Sequence, residues 1–139
     1  MTEFARTTIS SYKFLETEVY TDSDSVLTVF QNIQSQLNIS RVFFVHANQN
    51  TLRGNHAHYK CNQWLICISG SVSVSLFDGQ DSRQEILDVG SGVLYVPCGL
   101  WTSQEYSENS ILLVLADQLF DEDDYIRSLE DFKKIKMAT

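Results

Sequence analysis

The sequence predicts one all-β barrel followed by a short C-terminal helix. From about residue 41, short apolar and β-branched runs are separated by turn-forming residues, a pattern typical of all-β domains. Residues 71–77 alternate polar and apolar side chains with a period of two, so one face of this strand points inward. The chain has 139 residues, of which 43% are hydrophobic, and this is enough to bury one core. We therefore expect a single domain over residues 1–139.

Strand and helix patterns can be assigned along most of the chain. Residues 48–50 and the pair Asp78–Gly79 are turn signals, and the second indicates a hairpin. Acidic residues 121–124 precede apolar side chains at helical spacing, so an amphipathic helix is expected in the tail. The predicted strands cover residues 26–30, 41–46, 63–68, 71–77, 85–89, 92–96 and 110–116, and the helical spacing is that of Tyr125, Ile126, Leu129 and Phe132.

Composition argues against several classes of partner. The chain carries 18 acidic and 10 basic residues, and its net charge of −8 repels nucleic acid and anionic membranes. Cys61, Cys67 and Cys98 are odd in number and form no CxxC pair, so we interpret them as reduced thiols that pack as small hydrophobes. No signal peptide is recognisable, and no apolar run approaches the roughly 18 residues of a membrane span. These features predict a cytoplasmic protein.

The stretch from Arg53 to His58 is the most informative for function. Side chains two positions apart on a strand share a face, so His56 and His58 point the same way. Arg53 lies three positions before His56, and Gly54 between them permits a bulge or a close backbone approach. Two imidazoles and a guanidinium at the mouth of a barrel can form a ligand site, whereas the simplest alternative is a chance pair of histidines on a solvent face.

The spacing around the two histidines resembles the metal-binding cupin motif, which implies a cupin (jelly-roll) barrel. In that motif a glutamate and a third histidine stand where this chain has Gln63 and Thr102. Neutral groups at two of the four ligand positions bind divalent metals poorly, so we expect no metal. The matching positions are His56, His58, Gln63 and Gly70 in the first half of the motif, and Pro97, Gly99 and Thr102 in the second.

Without a metal, a histidine pair is suited to proton transfer. A neutral imidazole with a pKa of about 6.5 takes up and returns a proton at physiological pH. Removing a proton next to a carbonyl and returning it at the adjacent carbon is general acid–base chemistry of this kind. A barrel interior also excludes water and so protects an enediol-like intermediate.

Seven stretches spread over residues 38–133 occur in the order found in one family. They are Arg41-Val-Phe-Phe-Val, Arg53-Gly-x-His-Ala-His, Gln63-x-Leu-Ile-Cys-Ile-x-Gly70-Ser, Asp78-Gly79, Trp101, Leu113-Val-Leu-Ala and Asp121-Glu-x-Asp-Tyr-Ile-Arg127. Together they resemble the dTDP-sugar 3,4-ketoisomerases, small cupins of deoxysugar biosynthesis. The resemblance implies an isomerase that converts a dTDP-4-keto-6-deoxyhexose to its 3-keto isomer without a cofactor. It also implies a homodimer with exchanged N-terminal strands and a role in polysaccharide biosynthesis.

The resemblance assigns roles to individual residues. His58 would be the main acid/base that shuttles a proton between C3 and C4, and His56 would polarise or protonate the sugar oxygens. Tyr125 and Arg127 are interpreted as structural residues of the tail. Substrate binding would fall to Arg53, Gln63, Trp101 and Thr102.

Other interpretations of these residues stay open. Arg53 could be a structural arginine paired with an acid, Gln63 a satisfied polar core residue, and Trp101 a core aromatic. Phe44 and Thr102 depart from the family, which often has tyrosine at the first position and histidine or arginine at the second. Because position 102 faces the sugar in the resemblance, the product configuration at C4 is open, as are the final sugar and the nucleotide.

Three alternative functions remain at this point. The first is an epimerase-like cupin acting on a related sugar nucleotide, in which Tyr95 or Tyr106 would supply the acid opposite the base. The second is a non-catalytic sugar-nucleotide-binding cupin, although binding alone does not require two titrating groups. The third is a metal-dependent, dioxygenase-like cupin.

Overall fold

The computed structural model describes residues 1–31, 38–48 and 50–138 of the chain. Three-residue 3-10 turns occur at Ile9–Ser11 and Glu122–Asp124. In these ranges no helix is long and apolar enough to cross a bilayer. The helices are α1 (Glu3–Arg6) and α2 (Leu129–Ala138), and the strands are β1 (Lys13–Leu15), β2 (Glu18–Thr21), β3 (Val26–Val29), β4 (Arg41–Ala47), β5 (Thr51–His58), β6 (Gln63–Ser69), β7 (Ser71–Phe77), β8 (Ser82–Asp88), β9 (Val93–Val96), β10 (Trp101–Tyr106), β11 (Ser110–Ala116) and β12 (Tyr125–Ile126).

The strands form two five-stranded sheets that share one core. One sheet has the order β1-β9-β6-β11-β4 and the other β12-β5-β10-β7-β8, while β2 and β3 form a separate hairpin. Alternate side chains point into the core, so Val72, Val74 and Leu76 of β7 are fully buried. They pack with Leu94 and Leu112, which come from the opposite sheet. The predicted all-β barrel is therefore confirmed.

The predicted strands correspond to β3, β4, β6, β7, β8, β9 and β11. The predicted hairpin lies between β7 and β8, where Oδ1 of Asp78 accepts hydrogen bonds from the backbone N–H groups of Gln80 and Asp81. Strands β1, β2, β10 and β12 were not predicted. Strand β10 is rich in polar residues, of which Gln104 lines a cavity. Part of the turn predicted at residues 48–50 lies outside the described residues, at position 49.

The tail differs from the prediction at its start. Residues 121–126 are not α-helical: Glu122–Asp124 form a 3-10 turn, and β12 pairs with the edge of β5, placing Tyr125 opposite His58 and Ile126 opposite Ala57. Helix α2 begins only at Leu129. Its Phe132 is fully buried in a second cluster, against Phe4, Phe77 and Trp101. A short C-terminal helix packed on the barrel is thus confirmed, and the acidic run does not open it.

The three cysteines are unpaired and buried, as expected for packing residues. Cys67 belongs to the main core and Cys98 to the cluster beneath α2. Burial raises the pKa of the Cys98 thiol to about 12, so it remains protonated at neutral pH.

Candidate active site

A β-bulge aligns Arg53 with the histidines. On a regular strand, positions three apart face opposite sides, yet Arg53 pairs with Gln104 of β10 and His56 pairs with Thr102. The register shifts by one residue between these pairs, and Gly54 and Asn55 adopt positive φ angles of 86° and 58°. The extra residue brings the guanidinium and the first imidazole to the same face of the sheet. The predicted bulge at Gly54 is therefore present.

The two histidines and Tyr125 form a compact ring cluster. The His56 and His58 ring centroids lie 5.0 Å apart in an edge-to-face arrangement. The Tyr125 ring lies 4.9 Å from that of His56 and 4.4 Å from that of His58. Tyr125 reaches this position because β12 pairs with β5 directly beside His58. Ala57, between the histidines, points the other way into the cluster under α2.

His58 is held by a carboxylate. Its Nδ1 lies 3.1 Å from Oδ2 of Asp124, and both side chains are about nine-tenths buried. The backbone N–H groups of Lys60 and Cys61 donate to the same carboxylate at 2.8 and 3.2 Å. An ionised carboxylate only accepts hydrogen bonds, so neutral His58 carries its proton on Nδ1 and its lone pair on Nε2. Nε2 is buried and has no hydrogen-bond partner among the described residues.

The local fields favour an ionised Asp124 carboxylate and a neutral His56 imidazole. Burial acts to raise the pKa of Asp124, but the hydrogen bond from His58 and those from the backbone outweigh it, and the pKa is lowered. Burial, together with repulsion from His58, lowers the pKa of His56 to about 4. His56 is therefore neutral at physiological pH and acts as a hydrogen-bonding group.

A cavity of about 300 Å³ opens beside the ring cluster. Apolar and aromatic side chains from both sheets form most of its wall, and a few polar groups converge on it, as is typical of small-molecule sites. The lining residues are Phe43, Val45, Arg53, Gly54, His56, Gln63, Leu65, Gln104, Tyr106, Leu112, Val114, Phe120, Tyr125 and Arg127.

Three of the predicted site residues, Arg53, His56 and Gln63, line this cavity. His58 does not contribute to the wall; it lies behind it, buried against Tyr125. Thr102 is also buried and lies opposite His56 in the strand pairing, without lining the cavity.

Trp101 is placed differently from its predicted role as a wall of the sugar pocket. It packs 5.9 Å from the Phe132 ring in the cluster beneath α2. The reason is strand alternation, since Gln104 and Tyr106 line the cavity and the odd position 101 faces the other side. The core-aromatic interpretation of Trp101 matches the structure.

Sequence reasoning missed Asp124, Tyr125, Arg127 and Gln104. The first three belong to the segment Asp121–Arg127, which was interpreted as a structural tail; the structure corrects this, because Tyr125 and Arg127 line the cavity. A weak signal was present, since the adjacent Tyr125 and Ile126 are an aromatic and a β-branched residue, which are both enriched in strands. Gln104 was missed because β10 was not recognised as a strand.

Two aromatic positions raised by the sequence lie in different surroundings. Phe44 is 68% exposed on the outer face of β4, whereas its neighbour Phe43 lines the cavity. A tyrosine hydroxyl at position 44 would therefore face outward in this chain. The epimerase-like alternative needs a tyrosine acid, Tyr95 or Tyr106. Tyr106 lines the cavity, whereas Tyr95 packs against Trp64 in another cluster. Burial raises the pKa of Tyr106 to about 12.

One group of side chains in the described ranges could approach a metal ion. Ligand atoms of His58, Cys61 and Asp124 lie within 4.8 Å of one another. However, Asp124 already accepts three hydrogen bonds, and burial raises the pKa of the Cys61 thiol, whose protonated form is a poor ligand. This donor set fits a hydrogen-bonded histidine better than a metal centre.

Comparisons with known proteins identify the family of the chain. A family model described as "WxcM-like, C-terminal" (FdtA) matches residues 10–137. The chain is 35% identical over 112 residues to a TDP-4-oxo-6-deoxy-alpha-D-glucose-3,4-oxoisomerase from Aneurinibacillus thermoaerophilus, covering 79% of this chain and 81% of that protein.

Two solved structures show the same fold. A 3,4-ketoisomerase from Helicobacter canadensis has a TM-score of 0.83 and 28% identity, over 91% of this chain and 98% of its own. A mutant of the 3,4-ketoisomerase QdtA from Thermoanaerobacterium thermosaccharolyticum, in complex with TDP-4-keto-6-deoxyglucose, has a TM-score of 0.84 and 27% identity, over 94% and 97%. The predicted cupin barrel is confirmed by these likenesses.

Proposed function

This chain belongs to the FdtA family (WxcM-like, C-terminal), and from that premise we propose that it is a 3,4-ketoisomerase acting on a TDP-linked 4-keto-6-deoxyhexose. The observation that carries the proposal is the His58–Asp124 pair beside His56, which lines the cavity, with Nε2 of His58 buried and unpartnered among the described residues. The relatives' names place both 3,4-ketoisomerase activity and a TDP-linked keto-deoxysugar within this family.

In the proposed reaction His58 is the proton shuttle. Nε2 removes the proton from C3, which is acidic because the C4 carbonyl is adjacent, and Asp124 stabilises the imidazolium that forms. The imidazolium exchanges this proton with solvent and then delivers a proton to C4, so hydrogen is lost from C3 and gained at C4 while the carbonyl moves from C4 to C3. Because His58 lies behind the cavity wall, Nε2 approaches the sugar past the edge of Tyr125.

His56 serves the oxygen atoms in this proposal. It lines the cavity and is neutral at physiological pH, so it can give its N–H proton to the developing O4 anion and take up the O3 hydroxyl proton, which returns it to the neutral form. Arg53 and Gln63 bind the substrate from the wall, and Thr102 supports His56 from the paired strand. Which face of C4 receives the proton sets the product configuration.

The test is proton NMR of the protein with TDP-4-keto-6-deoxyglucose in D2O. A 3-keto product carrying deuterium at C4 is expected, and the His58→Asn variant should not form it. The matched control is His46→Gln, an exposed histidine on β4. An unchanged substrate spectrum with the wild-type protein would contradict the assignment, and deuterium exchange at C5 would point to an epimerase instead.

A homodimer with exchanged N-terminal strands is part of the proposal. Strand β4 is an edge of its sheet and exposes Val42 and Phe44, at 58% and 68%. Within the part of the chain that the structure describes, the β2–β3 hairpin pairs with neither large sheet, and it exposes four apolar side chains, Val19, Tyr20, Val26 and Leu27. An unpaired strand edge and exposed apolar patches of this kind are typical of surfaces that bind a second copy of the chain.

Light scattering coupled to gel filtration tests the dimer. The wild-type chain should have about twice the mass of the monomer, and Phe44→Asp should shift it towards one copy. Ile86→Asp, at an exposed position of β8, is the control that should leave the mass unchanged.

A nucleotide-sugar substrate and three reduced thiols also favour a cytoplasmic location.

A further inference from the structure

Arg127 and Glu122 form an ion pair at the mouth of the cavity. Nε of Arg127 lies 2.6 Å from Oε1 of Glu122, and Nη2 lies 2.9 Å from Oε2. Both side chains are more than half exposed. The guanidinium therefore presents its two-donor edge to a carboxylate that solvent also reaches, and it keeps its remaining N–H groups available.

Arg127 is coupled to the ring cluster through Tyr125. Its guanidinium lies 4.3 Å from the Tyr125 ring centroid, in a cation–π contact. The Tyr125 ring contacts both histidines. The charges of Arg127 and Glu122 also act on the titration of His56. The Tyr125 ring thus lies between Arg127 and the two histidines of the proposed reaction. A hexose ring can span this separation.

The lining of the cavity is short of positive charge. Among its described lining residues, Arg53 and Arg127 are the two side chains that are cationic at neutral pH, and no carboxylate is present. The chain as a whole has a net charge of −8 and repels a polyanion. A nucleotide diphosphate bound here needs local cations, and among the described residues of the cavity wall these two arginines supply them.

We propose that Arg127 binds the diphosphate of the nucleotide sugar, and that Glu122 occupies its guanidinium until the diphosphate displaces the carboxylate. The proposal rests on the function proposed above, because it takes the diphosphate from that substrate class. A carboxylate and a phosphate both offer two oxygens that match the guanidinium fork. An exposed ion pair is weak, so a diphosphate, which carries two negative charges and also faces Arg53 in the cavity wall, can replace the carboxylate.

Glu122 remains a competitor at neutral pH. The hydrogen bond from Arg127 lowers the pKa of Glu122, so its carboxylate is ionised wherever the enzyme works. Without a ligand, the pair keeps Arg127 against Tyr125 and keeps the mouth of the cavity formed. With a ligand, the freed carboxylate turns to solvent.

The experiment is titration calorimetry with TDP, alongside steady-state kinetics. Arg127→Gln should raise the Kd for TDP and the KM about tenfold or more, with kcat changed by less than about threefold. Arg127→Lys, which keeps the charge without the fork, should give an intermediate Kd. Glu122→Gln should lower the Kd for TDP by about two- to fivefold. Lys134→Gln breaks a neighbouring exposed pair with Glu130 and should leave the Kd unchanged.

Two results would overturn the inference. One is an Arg127→Gln variant that binds TDP as the wild type does and loses kcat, since Arg127 would then act only by holding Tyr125. The other is a Glu122→Gln variant that binds TDP more weakly, since Glu122 would then support the site rather than compete for it. Failure of the proposed function has a different signature: wild-type protein that binds TDP with these mutant effects but does not isomerise the keto sugar.

Discussion

Nδ1 of His58 lies 3.1 Å from Oδ2 of Asp124, although 66 positions separate the two residues in the chain. The contact forms because β12 pairs with the edge of β5 and brings the preceding 3-10 turn beside the histidine. Backbone donors from Lys60 and Cys61 fix the carboxylate in place. The pair sets the tautomer of His58 and leaves Nε2 as the basic atom.

Replacing Asp124 with asparagine should lower kcat by about 10² or more and change KM little. The amide offers no charge to stabilise the imidazolium, and it can favour the wrong tautomer of His58. Steady-state kinetics with the keto sugar checks this expectation. Asp123→Asn, at the exposed neighbouring position, is the control and should keep wild-type kcat. Equal losses in both variants would show a general effect of the turn and not a role for the dyad.

Truncating Tyr125 to alanine should reduce kcat by about tenfold or more, because the ring packs against both imidazoles and keeps water from them. Tyr125→Phe keeps the ring and should retain activity within about threefold. The measurement is deuterium incorporation at C4 under single-turnover conditions. A phenylalanine variant as inactive as the alanine one would instead assign the role to the hydroxyl.

Acid should destabilise the fold through His56. Its pKa falls from 6.5 in the unfolded chain to about 4 in the native one, so the unfolded chain binds more protons between these values. The contribution of His56 to the free energy of unfolding is therefore complete above pH 6.5. It is lost as the pH falls towards 4, and the loss is on the order of 2–3 kcal/mol. Urea unfolding at several pH values above 4.5 measures the slope, before protonation of Asp124 adds to the loss.

The His56→Gln variant should have a flatter dependence of unfolding free energy on pH in this window. His46→Gln, at an exposed position of β4, should keep the wild-type slope. A His56→Gln slope equal to that of the wild type would assign the acid sensitivity to other groups.

Gly54→Ala should cost both stability and activity. The φ angle of +86° disfavours a side chain, and an added Cβ would meet Oε1 of Gln104 at 2.9 Å and the backbone oxygen of Thr102 at 3.0 Å. We expect a loss of about 1–3 kcal/mol in the free energy of unfolding and a kcat/KM at least tenfold lower, since the bulge aligns Arg53 with His56.

Gly79→Ala is the matched control for this variant. Gly79 has a similarly positive φ of +105° but lies in the β7–β8 hairpin, away from the cavity. It should lose stability and keep kcat/KM. If both variants kept wild-type activity after correction for the folded fraction, the bulge would have no part in aligning the site.

The sequence by itself determined the barrel, most of its strands and the family. Period-two alternation and turn residues are local properties, so strands such as β7 and the hairpin at Asp78 were predictable. The shared orientation of the His56 and His58 side chains followed from strand geometry alone. The bulge was one of the two features that Gly54 permits. The spaced motifs that resembled the 3,4-ketoisomerases belong to a family that the comparisons confirm.

Only the tertiary structure decided which distant residues complete the site. Asp124, Tyr125 and Arg127 follow an acidic run that locally favours a helix, but pairing with the free edge of β5 turned them into a short strand beside the histidines. Trp101 was directed away from the cavity because its position in β10 alternates with Gln104. Such outcomes depend on edge pairing and register, which are set by contacts far apart in the chain and leave no periodic signal in the sequence.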